Sequence, residues 1–296
     1  MSSRCASSLL LSFAVAIAAL ASCAETLSLR YGASACMVDL DGARVVSLVM
    51  DGREILWNDS PRQKSAPDWA HGGIPLCWPN FGVDSAGRIH GTAWRRPFKV
   101  VSKSEGPSRA ELTASLEDAD LRLEYKIILA DSLILEMTTE NLGTNSIGCS
   151  FGFHPYFAVG ERDCCRVDGI DGFNFEDDPS VANRAKGTWV GQLAVTNTID
   201  RIFEIPNSRP GVFTLYDDAK GRALTVSCVG ASHMNIWNPG VEKACPGVVP
   251  ADQWRRFVCV EPIVLGQTPQ ATIPAKGKRN LKMEIAIRRK NGVGEF

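Results

Sequence analysis

The 296 residues carry 32 Lys and Arg against 33 Asp and Glu, a formal net charge of -1, and 45% of them are hydrophobic. A balance this close to zero speaks against a nucleic-acid partner, because phosphate binding rests on a clustered excess of basic side chains. The doublets Arg95–Arg96 and Arg255–Arg256 read as solvated surface. The length suits one large all-β domain or two smaller ones, and a core of that size stands without disulfides.

Residues 1–24 differ from the rest. Arg4 gives a positive start, an apolar run follows from Leu9 to Ala21, and Leu20-Ala21-Ser22-Cys23-Ala24 closes it with small residues. That order predicts an export signal, and the run is short for a bilayer span. Leu-Ala-Ser-Cys also resembles a bacterial lipobox, which would put a lipid on Cys23; plain cleavage after Ala24 is the alternative. The expectation is an exported protein, periplasmic or an envelope lipoprotein, tied to a membrane only through that lipid. Eight cysteines follow Cys23 with no C-x-x-C spacing. An even number in an exported chain permits disulfides without giving their pairing, and alternation with apolar residues suits small hydrophobes.

From Thr26 onward the chain reads as strands and turns. Leu27 to Tyr31 alternates apolar and polar residues until Gly32. Cys36–Leu40, Val45–Met50 and Glu54–Trp57 are separated by Asp41-Gly42 and Asp51-Gly52, two hairpin signals that make a meander. Leu121–Ile127 keeps period two, and Leu133–Thr139 continues after Asp131-Ser132. Val212–Tyr216 and Ala223–Val229 flank a turn, and Arg256–Pro262 and Leu281–Arg288 close the set. No segment sustains a helical period with caps. The expectation is an all-β, large antiparallel sandwich, with residues 25–296 forming one domain.

Three of the four histidines sit in loops dense with Gly, Pro and aromatics. These loops are His71–Gly82, Ile89–Trp94 and Phe151–Phe157. Aromatic faces beside polar heads suit a pyranose, whose C–H faces stack on rings while its hydroxyls need hydrogen bonds. His233 lies outside these loops and is assigned a structural role. Near the C-terminus come Trp237-Asn238-Pro239-Gly240 and Val258-Cys259-Val260-Glu261-Pro262. A carboxylate within so apolar a strand is desolvated, which raises its basicity.

Gly72–Gly82, His90–Ala93, His154–Phe157, Trp237–Ala244 and Val258–Glu261 together resemble the galactose-mutarotase-like superfamily, most closely its hexose-6-phosphate mutarotase branch (glucose-6-phosphate 1-epimerase). The five motifs follow in order over roughly residues 35–288. The resemblance implies a large antiparallel sandwich that interconverts the α and β anomers of an aldohexose or its 6-phosphate. It implies His154 as general acid, Glu261 as general base, and His90 and Asp200 as sugar-binding residues. That chemistry moves protons only and calls for no metal or cofactor. In the phosphate-binding branch Arg stands where this chain has His71, and again where it has Trp94. Arg96 would return to the face of Trp94 if that stretch were extended. His71, Trp94, Arg96 and Trp237 therefore complete the expected substrate contacts, with free and phosphorylated sugars both open. A non-catalytic carbohydrate-binding envelope protein on the same scaffold is the competing reading.

Overall fold

The computed structural model describes residues 25–58, 71–179, 181, 184–241, 249, 252–266 and 268–288. The apolar leader with Cys23, and Cys245, lie outside the described residues. Strands dominate; the helical turns among the described residues are four short 3-10 turns, among them Ala93–Arg95 and Gln253–Arg256.

The larger sheet has nine strands. From one edge it runs Leu193–Ala194, Cys165–Asp168, Gly211–Asp217, Arg222–Val229, Lys278–Arg288, Leu133–Asn141, Leu121–Leu129, Ala110–Asp118 and Lys99–Glu105. Period two explains its pleat. Leu121, Leu123, Tyr125, Ile127 and Leu129 all face inward and are buried, opposite Leu133, Leu135 and Met137 of the next strand. Each such side chain contributes about 1.5–3 kcal/mol on burial. A one-residue slip would turn the whole set to solvent, which holds the register.

The meander forms a four-stranded antiparallel sheet of Thr26–Tyr31, Ser34–Asp39, Arg44–Met50 and Arg53–Glu54. Its last strand is shorter than the Glu54–Trp57 read from the sequence. The Glu54 carboxylate accepts the Leu48, Ile55 and Leu56 N–H groups at 2.9, 3.1 and 3.0 Å, and Ile55 N–H also donates to Leu48 O at 2.8 Å.

The second large sheet positions the site. Its path runs Lys186–Thr188, Asn174–Asp177, Ile199–Glu204, His233–Asn238, Phe257–Val264, Phe151–Phe153 and Leu76–Cys77, with Tyr156–Ala158 also paired to Phe257–Val264. One face is core. Met234, Ile236, Val258 and Val260 pack in the same cluster as Leu123 and Tyr125 of the nine-stranded sheet. Alternate residues occupy the opposite face in cross-strand rows. Glu176, Ile202, Asn235 and Glu261 form one row, and Asp200, Trp237, Cys259 and Tyr156 form the next. Trp78 ties the two sheets together by donating its indole N–H to Thr139 Oγ1 at 3.0 Å.

The seven described cysteines are all free thiols, six of them buried. They fill core positions as small apolar groups.

Candidate active site

His154 stands in the break between Phe151–Phe153 and Tyr156–Ala158, where Pro155 has no N–H to continue a ladder. Its own N–H donates to Pro75 O at 3.1 Å, and Tyr156 N–H donates to Gly73 O at 2.9 Å, so the Gly-rich loop is laced to the histidine. Gly73 has φ +69°, and a Cβ there would meet Val45 O at 2.3 Å. Only glycine fits that crossing. Arg44, itself buried, donates to His71 O and Gly72 O at 3.3 and 3.4 Å and fixes the start of the loop.

Glu261 is fully buried in the middle of its strand. Its Oε2 lies 3.6 Å from His154 Nε2, and Asn235 Nδ2 reaches its Oε1 at 3.4 Å. The same amide donates to Asp200 Oδ1 at 3.2 Å, so Asn235 spans the two carboxylates. Burial pushes the Glu261 carboxyl well above the usual carboxylate range, and the Asp200 charge adds to that. Burial holds the His154 imidazole well below its usual value, with His90 and His71 adding. A mutual attraction at 3.6 Å favours the charged forms, yet both groups shift toward neutrality. Desolvation outweighs the pairing here.

Rings enclose this pair. Tyr156 stacks on His154 with centroids 4.7 Å apart and planes 10° from parallel. His90 meets His154 edge-on at 5.4 Å, and Trp237 does so at 5.5 Å. His71 stacks on Trp237 at 6.1 Å and meets Tyr156 edge-on at 5.9 Å. His71 and Trp237 are only half-buried, so this wall opens outward. His90 accepts the Gly82 N–H on Nδ1 at 3.2 Å, which leaves its proton on Nε2 as a donor. Its backbone holds φ +55°, and burial pushes its pKa down to about 3.

His154, Glu261, His90, His71, Asp200 and Trp237 thus converge. Trp94 and Arg96, also expected there, take other positions. Trp94 is buried beneath, against Cys77 and Phe81, and donates to Gly91 O at 3.2 Å. Arg96 pairs with Asp118 at 3.5 Å and donates to Glu117 O at 3.2 Å. The expectation that Arg96 shares a face with Trp94 is corrected, because Ala93–Arg95 is a 3-10 turn. Three residues per turn, not two, bring a side chain back to the same side.

Asn235 went unread in the sequence. Its signal was available: it stands two residues before Trp237 in an alternating strand, on the same face. His154, Cys259 and Glu261 also present three potential metal ligands whose atoms lie within 4.8 Å of one another.

A family profile described as aldose 1-epimerase matches residues 25–279. A protein of Salmonella typhimurium that carries the provisional name glucose-6-phosphate 1-epimerase is 27% identical over 252 residues, covering 79% of this chain and 81% of its own length. An Escherichia coli protein under the same provisional name is 28% identical over 254 residues, with coverage of 79% and 81%. A solved structure of a provisionally named mutarotase from Salmonella typhimurium superposes with a TM-score of 0.76 at 23% identity, covering 90% of each chain. A galactose mutarotase-like protein from Clostridium acetobutylicum gives 0.71 at 16% identity, covering 90% of this chain and 96% of that one. At that identity these two structures speak for the fold, and the profile speaks for the family: the chain belongs to the aldose 1-epimerase family.

Proposed function

We propose that the protein is an aldohexose 1-epimerase in which Glu261 and His154 open and close the sugar ring. The observation that carries this is the 3.6 Å approach of His154 Nε2 to Glu261 Oε2 inside an aromatic wall. Glu261 as carboxylate takes the proton of the anomeric hydroxyl. The C1–O1 bond becomes a carbonyl as the bond from C1 to the ring oxygen breaks, and His154 as imidazolium protonates that oxygen. This leaves a carboxylic acid and a neutral imidazole, the charge state that burial favours for both groups. Rotation about C1–C2 presents the other carbonyl face, and the same two transfers in reverse close the other anomer. The pair carries one proton throughout, and each group supplies on the order of 10²–10⁴-fold. His90 and Asp200 hold hydroxyls, while His71 and Trp237 offer ring faces to the sugar.

The reading favours a hexose with an uncharged C6 hydroxyl. Where the phosphate-binding branch has Arg, this chain has His71 and Trp94, and Arg96 is engaged by Asp118. Arg is the side chain that grips phosphate bidentately. The export signal expected in residues 1–24 would agree with a free sugar, since sugar phosphates are mostly intracellular. The test follows the relaxation of fresh α-glucose, α-galactose and α-glucose 6-phosphate by NMR. Acceleration of a free hexose above the phosphate is expected; a preference for the phosphate overturns the substrate assignment, and no acceleration of any sugar leaves only a binding role.

A further inference from the structure

The open face of the site-bearing sheet continues past the reacting centre. Asn235 pairs with Glu261 on one side and with Ile202 on the other, and Ile202 pairs with Glu176. The row beyond it places His233 opposite both Glu204 and Ile263. Along these rows lies a cavity of about 250 Å³, bordered by Glu176, Asp178, Arg184, Ile202, Glu204 and His233. Strands stand about 4.8 Å apart and two residues span about 6.7 Å. The cavity therefore begins about 10 Å from Glu261, with Asn235 between.

Its walls are built for hydroxyl groups. His233 is oriented by Ser232, whose Oγ lies 2.8 Å from His233 Nδ1 and itself accepts the Leu265 N–H at 3.1 Å. Glu204 accepts from Asn174 Nδ2 at 3.4 Å, and Arg184 pairs with Glu176. Burial holds the His233 imidazole below its usual value, which keeps it neutral at pH 7. The described lining carries four carboxylates, Glu176, Asp177, Asp178 and Glu204, against the one guanidinium of Arg184, an excess that repels phosphate and carboxylate groups. Carboxylates and a neutral imidazole accept and donate to sugar hydroxyls.

The direction of the sugar follows from the acid–base pair. Glu261 takes the anomeric hydroxyl and His154 takes the ring oxygen. Within the ring, C1 has the ring oxygen on one side and C2 on the other. Asn235 pairs with Glu261 from one side, and His154 stands on the other, in the break between Phe151–Phe153 and Tyr156–Ala158, which both pair with the Glu261 strand. With the ring oxygen at His154, C2 and C3 extend over Asn235 toward Ile202 and the cavity, and C5 and C6 extend the opposite way.

We propose that this cavity is a second sugar subsite that takes a neutral hexosyl group joined to O3 of the reacting hexose, so that the protein acts on the reducing ends of (1→3)-linked glycans. The proposal rests on the epimerase reading. Its experiment compares relaxation of glucose, laminaribiose (3-O-β-glucosyl-glucose) and maltose, the 4-linked control, with wild type, His233→Ala and Glu204→Gln. Laminaribiose is expected to show a higher kcat/KM than glucose or maltose. Either substitution should lower the laminaribiose value roughly three- to tenfold, the loss of one hydrogen bond, and leave glucose within about twofold. Laminaribiose no better than maltose, or equal losses for laminaribiose and glucose, overturns the subsite while the epimerase reading stands. No acceleration of any of the three sugars overturns both.

Discussion

His154 Nε2 and Glu261 Oε2 lie 3.6 Å apart in a setting where burial drives their titrations in opposite directions, the carboxyl upward and the imidazole downward. Between those limits the pair keeps a single proton that either partner can hold. Its titration belongs to the pair rather than to either residue. Activity is therefore expected to be bell-shaped in pH, lost on the acid side when a second proton binds and on the basic side when the only proton leaves. Replacing Asp200 by Asn removes a negative charge that raises the Glu261 pKa. The kcat–pH profile of Asp200→Asn should move to lower pH, with KM raised by the lost sugar contact; an unmoved profile contradicts the electrostatic role of Asp200.

The stability of the fold should also depend on pH through His90. Its folded pKa, about 3, lies below the usual 6.5 because burial disfavours the charged ring. Between those values the unfolded chain binds a proton that the native state refuses, so stability falls as pH drops through the window from 6.5 toward 3. The slope is about 1.4 kcal/mol per pH unit for one such group. His154, shifted the same way, adds to it. Denaturant midpoints measured from pH 7 to 5 should fall, and His90→Asn should flatten the dependence; equal slopes in both proteins contradict it.

Asn238 closes the strand that carries Trp237 and clamps the turn after it. It is fully buried, donates to Trp254 O and Phe257 O at 2.8 Å each, and accepts from Gly240 N–H and Arg162 Nη1 at 3.0 Å each. Asn238→Ala strands these partners at a cost of about 3 kcal/mol. The urea midpoint should drop without change in m; a drop under about 0.5 kcal/mol contradicts the clamp, since that is the scale of a surface change.

Much of this architecture was legible in the chain because each strand has one face on the core. Leu121 to Ile127 reads as a strand from its alternation alone, and the structure extends it to Leu129. The Asp-Gly turns mark the meander for a similar local reason: Gly42, Asp51 and Gly52 hold positive φ, which Gly and Asp tolerate. The site was legible only where a motif was dense, as around His71, His90 and His154. For Asn235 only its face was legible, from its place two residues before Trp237; its role comes from register with Glu261, far away in sequence. Arg96 misled because a 3-10 turn replaced the assumed extension. His233 looked unremarkable until pairing placed it beside Glu204 on the open face.

The proposed chemistry moves protons alone, so a chelator is expected to leave the rate unchanged. His154, Cys259 and Glu261 nonetheless offer three ligand atoms to a thiophilic cation. Added Zn²⁺ should inhibit by occupying the acid–base pair, and EDTA should restore the rate; loss of activity on chelation alone would show that the pair does not act by itself.

The most direct measurement is the anomeric relaxation of fresh α-glucose with wild type and with Glu261→Gln. Glutamine keeps an Oε1 acceptor for Asn235, so the fold and its melting temperature are expected to hold while the acceleration falls by about 10²-fold or more. Wild-type protein that leaves the spontaneous rate untouched, or a folded glutamine variant as fast as wild type, contradicts Glu261 as the base.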